Sequence, residues 1–420
     1  MKLLYYGENP TNPTGFGQMS HQILKALAET GHTIEVVATS VVEGQIDTSS
    51  FPYAFFPCPP GAEDLRNSPL IEDKLKNDDH DIFFYMGDFG ANDDVFVWLG
   101  EARTKRPDLL SIAYCPLDCD ILIPEAFSYM ACVNVPVVYT EHAKRRIEFY
   151  RPELKGQISV IYPGCEPDVF YPLSPEDRRA ARKDLFSIED DETFLVVNVN
   201  RNQLRKDLAR TMVCFHEFHK RHPNSILYLH SVQNDLGGSL PITALTAGLN
   251  VTGEGGDREI MFTPPTFSLG NPFSRADLNR VYNAADLLIS TSTGEGWGLA
   301  TSEAFSAGTP VLVPGNTANL DIVGEDEERG YLIKTGGDID HLIWLYGKAY
   351  NPRDIVHAQD CVDKLEYIYS HREEAYHKAQ VAQRWTFEHT WKAQGRKWQQ
   401  LLTTLEQHLS PESPDKMVAI

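Results

Sequence analysis

Apolar residues along the chain gather in short continuous runs, at 2–6, 82–86, 109–114, 133–139 and 158–162. Strands buried on both faces of a parallel sheet read this way, whereas half-exposed strands alternate. The first forty residues give a strand over 2–6, a turn-rich stretch over 7–17, helical spacing over 19–29 and a strand over 33–38, which is a βαβ unit. The pattern closes near Phe170. A polar stretch over 171–191 follows, in which Ser174-Pro175-Glu176-Asp177 supplies an N-cap, a proline and an acidic first turn for a charged connecting helix. A second alternation then predicts strands at 194–199, 226–230, 260–262, 287–291 and 309–313, with helices over 208–222 and 299–307. Residues 353–408 read as a helical tail with Trp385, Trp391 and Trp398 near one packed face. Residues 410–420 read as a frayed end.

These elements predict an α/β protein of two Rossmann-like, doubly wound parallel-sheet domains facing a central cleft. The expected divisions are 1–172, 173–375, and 376–420 as a helix returning toward the first domain plus a tail. Ligands bind at the carboxyl ends of strands in such sheets. Length agrees, since 420 residues exceed one ordinary core. A net charge of −21 opposes nucleic-acid backbones and anionic lipid at long range. The basic clusters Lys144-Arg145-Arg146, Arg178-Arg179 and Arg182-Lys183 read as solvated helix faces. No run of about 18 apolar residues occurs and no signal-peptide core follows Met1, so a cytoplasmic protein without stable membrane association is expected. The seven cysteines lack C-x-x-C spacing and suit reduced thiols better than a disulfide frame or a zinc site.

The stretch that carries chemistry runs Ser290-Thr291-Ser292-Thr293-Gly294-Glu295-Gly296-Trp297-Gly298-Leu299-Ala300-Thr301-Ser302-Glu303-Ala304. A strand ends in a glycine-broken loop, a helix opens at Gly298 or Leu299, and two glutamates stand eight residues apart. Free N–H groups at that helix start suit an anion or sugar hydroxyls. Glu303, about one turn into the helix, is placed to accept two ribose hydroxyls, and Glu295 faces the loop mouth. After the strand at 194–199 comes Asn200-Arg201-Asn202-Gln203-Leu204-Arg205-Lys206-Asp207, whose cations suit a departing diphosphate. Thr14-Gly15-Phe16-Gly17 lets backbone approach phosphates closely, or serves as a plain turn.

The two glutamates, with Tyr282-Asn283-Ala284-Ala285-Asp286 before and Ala307-Gly308-Thr309-Pro310-Val311 after, resemble the E-x7-E signature of retaining glycosyltransferase family 4, the glycosyl transferases group 1 of GT-B fold. The resemblance implies a sugar moved from a nucleotide-diphosphate sugar, UDP- or GDP-linked, to an acceptor hydroxyl. It places the acceptor in the first domain and the donor in the second. Glu303 would hold the nucleotide ribose and Glu295 the transferred sugar, with Gly296, Trp297, Gly298 and Leu299 lining the donor site. Arg201 and Lys206 would hold the diphosphate. Asn200 and Asp207 stand where glycines are usual, which leaves Arg205 and Lys206 both placed for the second cation. Gly15 and Gly17 match the family's glycine loop, and His230 matches a histidine at the end of its strand. Ile161-Tyr162-Pro163-Gly164-Cys165-Glu166 resembles the end-of-domain motif, so Glu166, Asp168 and Phe170 are assigned to a hinge. Thr263-Pro264-Pro265-Thr266 is expected to touch the base.

Asp118-Cys119-Asp120 has the D-x-D form with which GT-A enzymes hold a divalent metal against the donor diphosphate. Here cationic side chains already answer the phosphates, so no metal or other cofactor is expected. Asp118 is read instead as a residue that orients the acceptor hydroxyl or takes its proton. Asp88, in Gly87-Asp88-Phe89-Gly90, has a similar placement; a turn or cap role fits both as well. The mechanism implied is front-face attack, with protein groups positioning substrates and stabilising the diphosphate. Alternatives are a nucleotide-sugar epimerase or hydrolase on the same fold and a sugar-nucleotide binder without turnover. Glycan, small molecule, protein and modified nucleic-acid base all remain open as acceptor.

Overall fold

A computed structural model describes residues 1–41, 49, 51–59, 61, 63–88, 93–120, 124–250, 259–268, 273–345 and 351–409. The expected frayed end at 410–420 and the Phe89-Gly90 part of the Asp88 motif lie outside them. The chain divides into two compact units, one of Met1–Leu117, Leu122–Gly164 and the chain from Trp391, the other of Asp118–Ile121 and Cys165–Thr390.

In the first unit, β1 (Lys2–Gly7), β2 (Thr33–Val41), β3 (Ala54–Cys58), β4 (Ile82–Met86), β5 (Leu110–Cys115), β6 (Val135–Val138) and β7 (Ser159–Val160) form a parallel sheet in the order β3-β2-β1-β4-β5-β6-β7. Helices α1 (Gly15–Ala28), α2 (Ser68–Asn77), α3 (Asp93–Lys105) and α4 (Glu141–Tyr150) connect them. The apolar runs form strands because both faces are covered: every residue of β4 is buried. Strand order reverses between β1 and β4. Residues at the carboxyl ends of those two strands, Glu8 to Gly17 and Asp88, therefore border this sheet's binding crevice.

The second unit contains α5 (Pro175–Phe186), β8 (Phe194–Val199), α6 (Leu208–His219), β9 (Ser225–His230), a small hairpin of β10 (Asn234–Asp235) and β11 (Gly238–Ser239), α7 (Leu240–Thr246), β12 (Ile260–Phe262), α8 (Arg275–Ala284), β13 (Leu287–Ile289), α9 (Leu299–Ala307), β14 (Val311–Pro314), α10 (Ala318–Val323) and β15 (Tyr331–Ile333). A second hairpin, β16 (Leu342–Leu345) with β17 (Asn351–Asp354), leads to α11 (Ala358–Ser370) and α12 (Arg372–Glu388). The main sheet is parallel, in the order β12-β9-β8-β13-β14-β15. Its order reverses between β8 and β13. This brings the loop after Val199 and the loop after Ile289 together at one switch point.

Two expectations for the tail are corrected. Arg353 lies in β17, and helix begins only at Ala358; Pro352 just before it has a fixed backbone and no N–H, which suits a hairpin strand better than a helix interior. The three tryptophans do not share a face, because the helix breaks at His389, whose carbonyl accepts from Cys165 N–H at 2.8 Å. Trp385 on α12 stacks against Trp297, with centroids 6.2 Å apart. Trp398 lies on α13 (Trp391–Leu409) and packs on Phe84 and Tyr114 at 5.1 and 4.8 Å. Helix α13 rests on α1, and Gly395 allows it: a Cβ there would come within 2.9 Å of Ala26 Cβ. Among the described residues, no helix is long and apolar enough to cross a membrane.

Candidate functional site

The loop from Ser290 to Gly298 is shaped by two glycines with different constraints. Gly294 has φ +154°, and a Cβ on it would stand 2.1 Å from the Asp118 carbonyl oxygen, so close approach requires glycine. Gly298 caps α9 in the left-handed region at φ +93° and brings no capping side chain. Thr301 and Ser302 N–H groups return to the Gly298 carbonyl at 3.0 and 3.2 Å. Leu299 and Ala300 open the helix, where the first N–H groups lack intrahelical acceptors. Glu295 N–H donates to Thr317 Oγ1 at 2.9 Å. Thr317 is fully buried at φ +48°, a costly conformation for a β-branched residue and one that sequence inspection did not single out.

Glu295 is buried and ion-paired. Lys206 Nζ donates to Oε1 at 2.5 Å, and Arg205 Nη1 lies 3.4 Å from Oε2 while donating to the Gly294 carbonyl at 3.0 Å. Burial alone would raise this carboxyl, but the Lys206 and Arg205 charges overcome it and hold Glu295 at about 2. Burial likewise presses the Lys206 ammonium downward, against the pull of Glu295. Both cations come from one 3-10 turn, Leu204–Lys206, whose Asp207 takes a left-handed conformation at φ +44° and caps α6. Asp207 thus performs, at some strain, the turn for which the family pattern uses glycine. Arg205 stands beside Lys206 on the same carboxylate.

Asp118 joins this cluster. Its Oδ2 is 3.8 Å from Arg205 Nε, and Arg353 on β17 donates to its carbonyl at 2.6 Å and to Oδ1 at 3.1 Å. The acid and imidazole groups close enough to share an ion among the described residues are Asp338, His341 and His357, and Glu35, Asp78 and His80; neither includes Asp118 or Asp120.

Glu303 lies on α9, and Tyr282 donates a hydrogen bond to its Oε2 at 2.6 Å. Burial raises it to about 7, with Tyr282 and Arg275 opposing. His230 ends β9, buried, with Tyr228 Oη 3.2 Å from Nδ1 and the rings of Phe267 and Phe273 each 4.9 Å away. Burial lowers it to about 4, so the imidazole is neutral. Arg201 is half exposed and pairs with Asp235 of the β10–β11 hairpin at 2.8 Å. Trp297 is buried against Trp385, while Gly296 remains half-buried at the loop surface. The Thr263 carbonyl accepts from Gln233 Nε2 at 2.6 Å, and Glu166 pairs with Arg275.

In the first unit, Gly15 opens α1 after the Thr14 cap. A Cβ at Gly17 would lie 2.4 Å from the Asn12 carbonyl and 2.9 Å from that of Asn9, so this glycine is needed for the loop to fold onto its own helix. The Asp88 carbonyl accepts from Tyr85 Oη at 3.1 Å at the end of β4.

Paired open parallel sheets, each with a loop-bearing switch point, are the GT-B fold. The structure of a sucrose-phosphate synthase from Thermosynechococcus elongatus shares it, with a TM-score of 0.71 at 15% identity over 97% of this chain and 99% of that one. More particularly, residues 267–355 match the family model Glycosyl transferases group 1. Among similar relatives are D-inositol 3-phosphate glycosyltransferases of Mycobacterium marinum, 27% identical over 48% of this chain, and of Mycobacteroides abscessus, 31% identical over 48%. The chain spans 38% and 43% of their lengths.

Proposed function

We propose that the protein transfers a sugar from a nucleoside-diphosphate sugar, UDP- or GDP-linked, to an acceptor hydroxyl with retention of configuration. The observation that supports this most is Glu295 held by Lys206 and Arg205 at the switch point of the family-matched unit. A diphosphate arriving there meets two cations already oriented by a carboxylate. Charge developing on the departing phosphate is stabilised without reorganisation, and side chains supply the positive charge that a metal would otherwise bring. Glu303 accepts the ribose hydroxyls, Glu295 the hydroxyls of the transferred sugar, and the α9 amides face the phosphate or sugar. Arg201, paired with Asp235 beside the site, adds a bidentate contact when it turns to a phosphate. Asp118 orients the incoming hydroxyl. Gly15 and Gly17 shape the loop of the first unit, and Asp88 borders its crevice on the acceptor side.

The test is release of nucleoside diphosphate from a panel of nucleotide sugars, with the anomeric configuration of any product read by NMR. Lys206→Ala is expected to slow release by about 100-fold or more, the scale of losing a preorganised charge-stabilising donor. Turnover unchanged in that variant would remove Lys206 from the mechanism, and an inverted product would remove retention.

A further inference from the structure

Arg353 is separated from Asp118 by 235 residues in sequence, yet it grips that residue twice. One guanidinium nitrogen bonds the Asp118 backbone carbonyl and another its carboxylate, and the Arg353 side chain is only 11% exposed. A fork set on backbone and side chain together fixes where the residue lies and which way its carboxylate points. The same carbonyl packs against Gly294, and the other carboxylate oxygen lies 3.8 Å from Arg205 Nε. The charges therefore run in series: Arg353, Asp118, Arg205, Glu295, Lys206. Three cations face two carboxylates, and Arg353 is the member farthest along this chain from the Glu295–Lys206 pair.

We infer that Arg353 is a positioning residue that holds Asp118 against the Gly294–Glu295 loop in the orientation needed to receive the attacking hydroxyl. The inference rests on the donor-site reading of that loop and adds to it a residue from the β16–β17 hairpin. Pairing with Ile343 in the hairpin ladder fixes the backbone of Arg353, so its fork is anchored at its base. Without Arg353, the Asp118 carboxylate keeps the 3.8 Å contact to Arg205 and loses the fork that fixes its orientation. Misplacement of such a group by about 1 Å costs on the order of 100-fold in rate.

The experiment uses the full chain with Arg353→Met, Arg353→Lys, Asp118→Ala and the Arg353→Met/Asp118→Ala double variant. Two quantities are measured: release of nucleoside diphosphate from UDP-glucose and GDP-mannose, with water as the attacking hydroxyl and the free sugar as co-product, and the dissociation constants of UDP and GDP. Arg353→Met and Asp118→Ala should each slow release by about 100-fold, with the double variant no slower than the worse single one. Nucleotide affinity should stay within about two-fold of wild type, a split that general destabilisation of the unit would not give. Arg353→Lys, which keeps charge but loses the fork, should fall between wild type and Arg353→Met. Wild-type release from Arg353→Met, or losses that multiply in the double variant, would overturn the inference while nucleotide binding still upholds the donor site. A wild-type protein that binds neither nucleotide would defeat the donor-site reading itself, and with it this one.

Discussion

Glu295 and Glu303 stand eight residues apart, yet their surroundings drive them in opposite directions. Two cations hold Glu295 at about 2, whereas burial beside the Tyr282 hydroxyl lifts Glu303 to about 7. Ribose hydroxyls donate to a carboxylate and favour its ionised form, so nucleotide binding should expel a proton from Glu303. Affinity for nucleoside diphosphate, measured by calorimetry, is therefore expected to rise with pH up to about 7 and level off above it, with proton release fading once the free carboxyl is ionised. Glu303→Gln should bind more weakly and lose this slope; a slope retained in that variant would assign it to another group. Stability responds with a definite sign. Glu303 ionises later in the folded chain than in the unfolded one, so its contribution to stability declines as pH rises from 4.5 through about 7. Glu295, held low, contributes above 4.5 and loses that contribution as pH falls toward 2. Breaking its pair by Lys206→Met should cost about 3 kcal/mol in denaturant unfolding, and adding Glu295→Gln should recover most of that. Equal stability of Lys206→Met and wild type would mean that Arg205 alone satisfies the carboxylate.

At the scale of elements, the site depends on two loops that leave adjacent strands, β8 and β13, and on Gly294, which lets the second approach Asp118. Gly294→Ala would push a methyl to 2.1 Å from the Asp118 carbonyl. This should displace the 118 segment and destabilise the second unit by roughly 1–3 kcal/mol, seen as a lowered melting temperature. Unchanged stability would show that the segment yields freely. The glycines, the strand ends and the paired glutamates were legible in sequence because each is local: a glycine, a cap or a continuous apolar run states its backbone demand within a few residues. Arg353 was not legible. Its partner lies 235 positions away, and Pro352 and the hairpin turn interrupt a stretch that otherwise has helical composition. Thr317 was hidden for a related reason, since its left-handed backbone is imposed by burial and by Glu295 rather than announced by its own residue type. Arg205 was visible only as one of two neighbouring cations, and the structure sets both on Glu295.

For the whole molecule, the division into units assigns the end of the chain in a way that composition does not. Helix α13 completes the first unit, where Trp398 is 1% exposed between Phe84 and Tyr114, while α12 stays with the second. Trp398→Ala should therefore destabilise the first unit by about 3–5 kcal/mol and, under the proposed function, leave nucleotide affinity unchanged. Weakened nucleotide binding would show that the units are coupled through α13. The net charge of −21 belongs to the same scale. Under the proposed function an anionic donor is received by local cations working against the overall field, so nucleotide affinity should depend on the Arg205–Lys206 turn. The most direct test of the central claim is thermal stabilisation of the purified protein by nucleoside diphosphates and nucleotide sugars, with Glu303→Ala and Lys206→Ala in parallel. The account predicts a selective shift with one nucleotide, abolished in Glu303→Ala and reduced in Lys206→Ala. No shift with any of them, or an equal shift in both variants, would contradict it.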